Sequence, residues 1–379
     1  MPPPPSLADK SNALERWLTD AALPLWWERG ADHSRGGFHE ALDAAGNRVD
    51  LPRRLHVQAR QVYVYAMAPR FGWDGPWREA VRHGVDYLVG KYLRDDGLAR
   101  ASVDALGRPM DERPLLYGQA FTLLALASAF EVFPEETHLR AAALKLMGAL
   151  VAGRRDPSGA FLEITEQPFQ ANANMHMLEA TLAWIPLCED PVWTQAADKI
   201  AELALSNFID RDRGFLREFF DQTWSPKAGD DGRLVEPGHQ FEWAWLLERW
   251  STARGRSDAM APIFGLYKAG QHGLDPARGI AINALWDDLS IRDGDARLWP
   301  QTERMKAAIT LARVDGSNRG THLAEAVRAS VGLEAYFDMP IRGLWRDKWR
   351  EDGRFVDEPS PTSSFYHIVC AILELKRAL

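Results

Sequence analysis

Polar and apolar positions along the chain alternate in a long-period rhythm. Segments such as PWREAVRHGVDYLVGKYL (76–93), LLYGQAFTLLALASAFEVF (115–133), TQAADKIAELALSNFI (194–209) and AEAVRASVGLEAYF (324–337) carry apolar residues at three- and four-residue steps. That spacing predicts helices. The segments are of two kinds. Some are amphipathic, as a helix covering a surface is, and others are apolar on every side, as a helix surrounded by neighbours is.

Between them one punctuation mark returns. An Asp is followed within a few residues by Gly, usually a large apolar residue, and then a polar alternating stretch: DHSRGGFHEALDAAGN, DDGLARASVDALGR, DPSGAFLEITEQ, DRGFLREFFDQ, DPARGIAINALWDD and DMPIRGLWRDKWREDGR. Its glycines are Gly37, Gly97, Gly159, Gly214, Gly279 and Gly343, separated by 60, 62, 55, 65 and 64 residues. Each unit therefore supplies two helices, and six pairs stack either as an open solenoid or as a closed ring. Six uniformly apolar helices fit closure, with an inner ring of six inside an outer ring of six. The expectation is an all-α (α/α)6 barrel, with short β-hairpins after the glycines decorating one rim. No linker or charge block divides 1–379, so a single domain is expected. The least helical part, REFFDQTWSPKAGDDGRLVEPG (217–238), reads as a long rim loop of the kind that often serves function.

Aligning the units on their glycines exposes a second repeat. Between 17 and 25 residues downstream, near the start of each apolar helix, stands a polar side chain: Arg60, Gln119, His176, His239, Glu303 and His367, with Glu242 one turn beyond His239. In a ring these converge on one end of the central cavity, and Tyr117, Trp299 and Trp345 are placed to wall it. Burying so many polar groups costs several kcal/mol unless they satisfy one another or bind something. Singly each has an ordinary structural explanation; His176 is as readily a satisfied core histidine, and Arg60 with Glu303 a buried ion pair.

Composition narrows the chemistry. A formal charge of −8 excludes a phosphate-backbone binder, so no nucleic-acid partner is expected. Two cysteines, Cys188 and Cys370, make no disulfide framework and read as reduced thiols of a cytoplasmic protein. MPPPPSLADK lacks the regions of a signal peptide, and no run reaches transmembrane length, so no membrane partner is expected. A homodimer is compatible with the sequence, which does not fix the assembly. Phosphate-loop, dinucleotide, serine-hydrolase and zinc-protease signatures are missing. Three chemistries stay open: histidine acid/base catalysis on a sugar, a metal site drawn from His176, His239, Glu242 and His367, and glycoside hydrolysis by Glu242 and Glu303.

The motifs VQARQVY, LYGQAF, NANMHMLEA, EPGHQFEWAWLL, RLWPQTE and SFYHI, in this order along the whole chain, resemble the N-acylglucosamine 2-epimerase superfamily. The resemblance implies an (α/α)6 barrel acting on free sugars as a 2-epimerase or an aldose–ketose isomerase, without metal or other cofactor. It implies His239 and His367 as acid/base groups and Arg60 as the cation beside the enediolate oxygen. Glu242, Glu303, His176 and Asn172 become contacts to the sugar or supports behind it, and Trp299 a cavity wall. His56, four residues before Arg60, replaces a frequent Trp, and Ser363 stands where related isomerases carry an amide. No nucleotide loop is present. The short chain, without a disaccharide-binding insertion, leans toward mannose–fructose isomerisation, with 2-epimerisation or a non-catalytic sugar-binding barrel as the alternatives.

Overall fold

The computed structural model describes residues 5–379; residues 1–4, the start of MPPPPSLADK, lie outside the described residues. Twelve long helices among the described residues alternate between two rings. The outer ring comprises α1 (Leu7–Trp17), α3 (Trp77–Lys91), α5 (Thr137–Arg154), α7 (Pro191–Leu203), α9 (Met260–His272) and α11 (Arg319–Glu334). The inner ring comprises α2 (Leu55–Met67), α4 (Leu116–Val132), α6 (Ala171–Trp184), α8 (Pro237–Arg254), α10 (Trp299–Val314) and α12 (Phe365–Arg377). Each inner helix packs on the next, and α12 packs back on α2, so the ring is closed. This is the expected (α/α)6 barrel.

Local chemistry sets the helix ends. Ser6 and Asp9 form a capping box on α1, Asp190 caps α7 ahead of Pro191, and α8 runs from Pro237 to a left-handed Gly255, the usual proline-first, glycine-last asymmetry. The six repeat glycines all adopt positive φ, between 70° and 101°, a region other residues enter at a steric cost. That requirement is why the glycine recurs in every unit.

The rim carries more than hairpins. Short antiparallel pairs stitch neighbouring units together: Arg53–Arg54 with Ser102–Val103, Ala296–Arg297 with Lys348–Trp349, and single bridges Gln170 to Phe219 and Val235 to Leu285. The last unit joins the first through Ala41–Leu42 with Ser360–Pro361.

A third device repeats with the helices. Gln58 accepts from Phe38 N and donates to Phe38 O, both at 2.8 Å. Gln119 does the same to Ala99, Asn174 to Phe161, Gln240 to Leu216 and Gln301 to Ala281. In the sixth unit the hydroxyl of Ser360 bonds the N and O of Trp345. In five units an inner-helix amide, and in the sixth a rim-strand hydroxyl, thus replaces the two backbone partners that a residue one or two positions after the repeat glycine lacks, as buried peptide groups require.

Two expected site residues belong to this device. Gln119 is wholly buried and clamps Ala99 instead of facing the cavity. Trp345 is the clamped residue of unit six, fully buried and stacked on Trp26 at 4.7 Å, away from the pocket. Both fall outside the site because their polar groups are already spent on the fold.

Candidate active site

All six inner helices run in one direction, with their N-terminal turns around a cavity of about 280 Å³. Helix N-termini carry positive potential and suit an anion or a developing negative charge. Two residues four apart, one turn of the same face, stand at the start of each inner helix, the sixth pair beginning in the short turn just before α12. The pairs are His56/Arg60, Tyr117/Phe121, Asn172/His176, Gly238/Glu242, Trp299/Glu303 and Ser363/His367. In the second unit the residue in register with Arg60 is Phe121, two positions beyond Gln119. Phe121 lies beneath the Arg60 guanidinium at 4.2 Å and beside His176 at 4.5 Å. In the fourth unit the first member is glycine because a side chain there would strike the Trp299 ring at 2.4 Å; His239, one position on, supplies the functional group.

The pocket wall contains His56, Arg60, Tyr117, Asn172, His176, His239, Glu242, Trp299 and His367 of the expected set. Glu303 stands one layer behind, its Oε1 2.9 Å from His367 Nδ1. A hydrolytic carboxylate pair of Glu242 and Glu303 is therefore not presented to the cavity. Glu236, Arg297, Asp347, Ser363 and Ser364 complete the wall, and Glu218 lies just behind it. Glu218 and Asp347 occupy the fourth position after Gly214 and Gly343, as Glu163 does after Gly159. That regularity was available in the sequence and marks rim carboxylates. Glu163 is used structurally, accepting from Leu116 N and Tyr117 N to hold the start of α4.

The two histidines implied as acid and base flank Trp299, with ring centroids 5.0 Å (His239) and 5.8 Å (His367) from it. Their surroundings differ in sign. Burial alone would strip the proton from His239, but Glu218 at 3.0 Å and Glu236 at 3.5 Å outweigh it and push its pKa up to about 10. His367 is held well below the ordinary imidazole value by burial, with the Arg60 and Lys306 charges acting in the same direction. His176 is lowered to about 4, mainly by burial; its Nδ1 rests 3.3 Å from Glu179, which also accepts from Tyr366. Burial, then the neighbouring Glu303, raises Glu242 to about 8.

Arg60 donates to Tyr117 Oη at 2.6 Å and to Ser363 O at 3.2 Å. Its Nε, Asn172 Oδ1 and Glu242 Oε1 are buried without a hydrogen-bond partner, as groups reserved for a ligand are. Two donor sets, His176–Glu179–Glu242 and Glu242–Glu303–His367, gather atoms within 4.8 Å. In the first, Glu179 is engaged by His176 and Tyr366. In the second, the Lys306 ammonium sits 2.6 Å from Glu303, where it repels a divalent cation.

Comparison with known proteins places this geometry. The family model for N-acylglucosamine 2-epimerase (GlcNAc 2-epimerase) matches residues 36–371. A protein of Rhizobium meliloti (strain 1021) named mannose-6-phosphate isomerase is 45% identical over 377 residues, spanning 98% of this chain and 97% of its own. The D-mannose isomerase of Thermobifida fusca is 30% identical over 367 residues, covering 88% and 86%. Among solved structures, the cellobiose 2-epimerase from Spirochaeta thermophila DSM 6192 superposes with a TM-score of 0.87 at 20% identity, over 98% of this chain and 97% of that one.

Proposed function

This chain belongs to the N-acylglucosamine 2-epimerase family, a sugar isomerase or epimerase, and from that premise we propose that it interconverts D-mannose and D-fructose through a cis-enediolate. The carrying observation is the unlike setting of the two histidines beside Trp299: Glu218 at 3.0 Å and Glu236 at 3.5 Å favour the charged form of His239, while burial and two nearby cations favour the neutral form of His367. Environments that push two titrating groups apart assign the base and the acid.

The neutral His367 takes the C2 proton of the open-chain aldose. The C–H electron pair forms the C1–C2 double bond, and the carbonyl pair moves onto O1. The imidazolium of His239 gives O1 a proton, while Arg60 and the six helix N-termini stabilise the negative charge as it develops. His239 then recovers a proton from O2–H. His367 returns its proton to C1, leaving a C2 carbonyl and the ketose. Epimerisation needs the two histidines to exchange roles across C2. The carboxylates that keep His239 charged oppose the exchange, which supports isomerisation over epimerisation.

A 280 Å³ cavity sits at the lower end of ordinary ligand pockets, which supports a monosaccharide. Glu236, Glu242 and Asp347 crowd the wall, and the rim cation Arg297 lies 3.8 Å from Glu236; both features favour an unphosphorylated sugar. A second reading, mannose 6-phosphate, rests on the name of the Rhizobium meliloti relative, with Arg297 as the group to receive the phosphate. Proton NMR of mannose and of mannose 6-phosphate in D2O, with a chelator present, separates the two. The expected result is deuterated fructose from mannose, with slower turnover of the phosphate ester. No conversion and no exchange at C2 with mannose overturns the proposal.

A further inference from the structure

Beneath the pocket, on the barrel axis, stands a lysine the proton transfers do not touch. Lys306 follows Glu303 by three residues on α10, and both side chains are fully buried. Lysine is almost never buried completely unless it is paired, and here the pairing is specific. Its Nζ is 2.6 Å from Glu303 Oε2 and 3.6 Å from the centre of the Trp245 ring. From the other inner helices it faces Glu179 of α6, Glu242 of α8 and Cys370 of α12. Arg60 of α2 and His176 of α6 lower His367 in the same direction as Lys306 does.

Three carboxylates thus surround one ammonium. Glu179 is compensated by His176 and Tyr366, and burial followed by the Glu303 charge raises Glu242 to about 8. Burial raises Glu303 as well, and the Lys306 ammonium 2.6 Å away is the largest influence against that rise. The ammonium is left to Glu303. An ionised Glu303 can only accept from His367 Nδ1, so the ring proton must sit on Nδ1, and Nε2 keeps its lone pair. The hydrogen bond at one ring nitrogen decides what the other can do. Were Glu303 to take a proton, its O–H would donate to Nδ1. The imidazole proton would then move to Nε2, which would no longer be a base.

We propose that Lys306 is a positioning residue: its ammonium holds Glu303 ionised and thereby fixes His367 as the neutral Nδ1–H tautomer with Nε2 free for the sugar. Its catalytic meaning rests on the isomerase reading; the tautomer does not. The test is ring-nitrogen NMR of the 15N-histidine-labelled protein from pH 6 to 8, with the His367 signals assigned by their loss in His367→Gln. The wild type should show neutral His367 protonated on Nδ1. Lys306→Met should convert it to the Nε2–H form or to imidazolium, lower kcat at pH 7 at least tenfold and leave KM within twofold. Lys306→Arg should restore the Nδ1–H pattern and part of kcat. An Nε2–H or charged His367 in the wild type overturns the proposal, as does a Lys306→Met protein with unchanged ring signals and kcat. If Lys306→Met does not fold, the wild-type and Lys306→Arg spectra still decide. If the expected spectra accompany a protein that turns over no mannose, the isomerase reading fails and the positioning role stands.

Discussion

Individual residues here take their function from their neighbours' charges. His239 and His367 are chemically the same side chain, yet Glu218 and Glu236 favour the charged form of one while burial and two cations favour the neutral form of the other. His367 is neutral well below the usual imidazole midpoint of ~6.5, so kcat/KM should hold at pH 6. Activity should decline on the alkaline side toward the value of about 10 for His239, because in the proposed reaction His239 acts with its proton on. Glu218→Gln removes the carboxylate nearest His239. Since that charge raises the histidine, its loss must lower the pKa, and the alkaline decline should move toward neutrality by about a unit. A pH profile of the variant that superimposes on the wild type would show that Glu218 does not set the charge. The sequence and its family resemblance propose both histidines, but the proton state of His239 depends on Glu218, 21 residues before it and delivered by the long rim loop.

At the scale of the helix, two periodicities lie on top of each other. One is the amide that, in the first five units, clamps the residue just after the repeat glycine; the other is the pair of inward positions two residues before and two after that amide. Aligning polar residues on the glycines merges the two, because a clamp amide and a site residue look alike in a list of polar positions. That merging places Gln119 in the site on sequence grounds and passes over Phe121, the inward residue of that unit, because it is apolar. Trp345 shares its segment with the polar positions, which on sequence grounds puts it at the wall, whereas it stacks on Trp26 and is held through its backbone. The helix-face spacing of four separates the two series. Gln119→Leu should therefore act on the fold and not on the sugar. It strands the Ala99 N–H and C=O, which costs about 2–4 kcal/mol when both lose their partner in the core. A urea titration should show that loss with KM unchanged within twofold; a raised KM at unchanged stability would return Gln119 to the site.

For the whole molecule, the decisive feature is that the ring closes. Repeats, helix types and rim turns were all legible as local periodicities. The seam was not, since it joins residues more than three hundred positions apart. Trp26 Nε1 donates to Gly343 O at 3.0 Å, Thr362 Oγ1 to His39 O at 2.6 Å, and Lys10 pairs with Glu334. Arg60, from the first unit, takes one of its two partners from Ser363 in the last, so the site itself spans the seam. An open array of repeats loses stability unit by unit, each depending only on its neighbours. A closed ring has no end from which to fray, and opening the seam removes a partner from both terminal units at once. We propose that residues 5–379 unfold as one cooperative domain, with tryptophan fluorescence and far-ultraviolet circular dichroism giving coincident urea transitions. Trp26→Ala cuts the seam at the stacked pair with Trp345 and should cost about 3–5 kcal/mol, as loss of a buried tryptophan does. It should shift the midpoint while keeping the transition single and its slope unchanged. A variant that instead unfolds in two separated steps would mean that the units hold without closure, and the single-domain reading would fall with it.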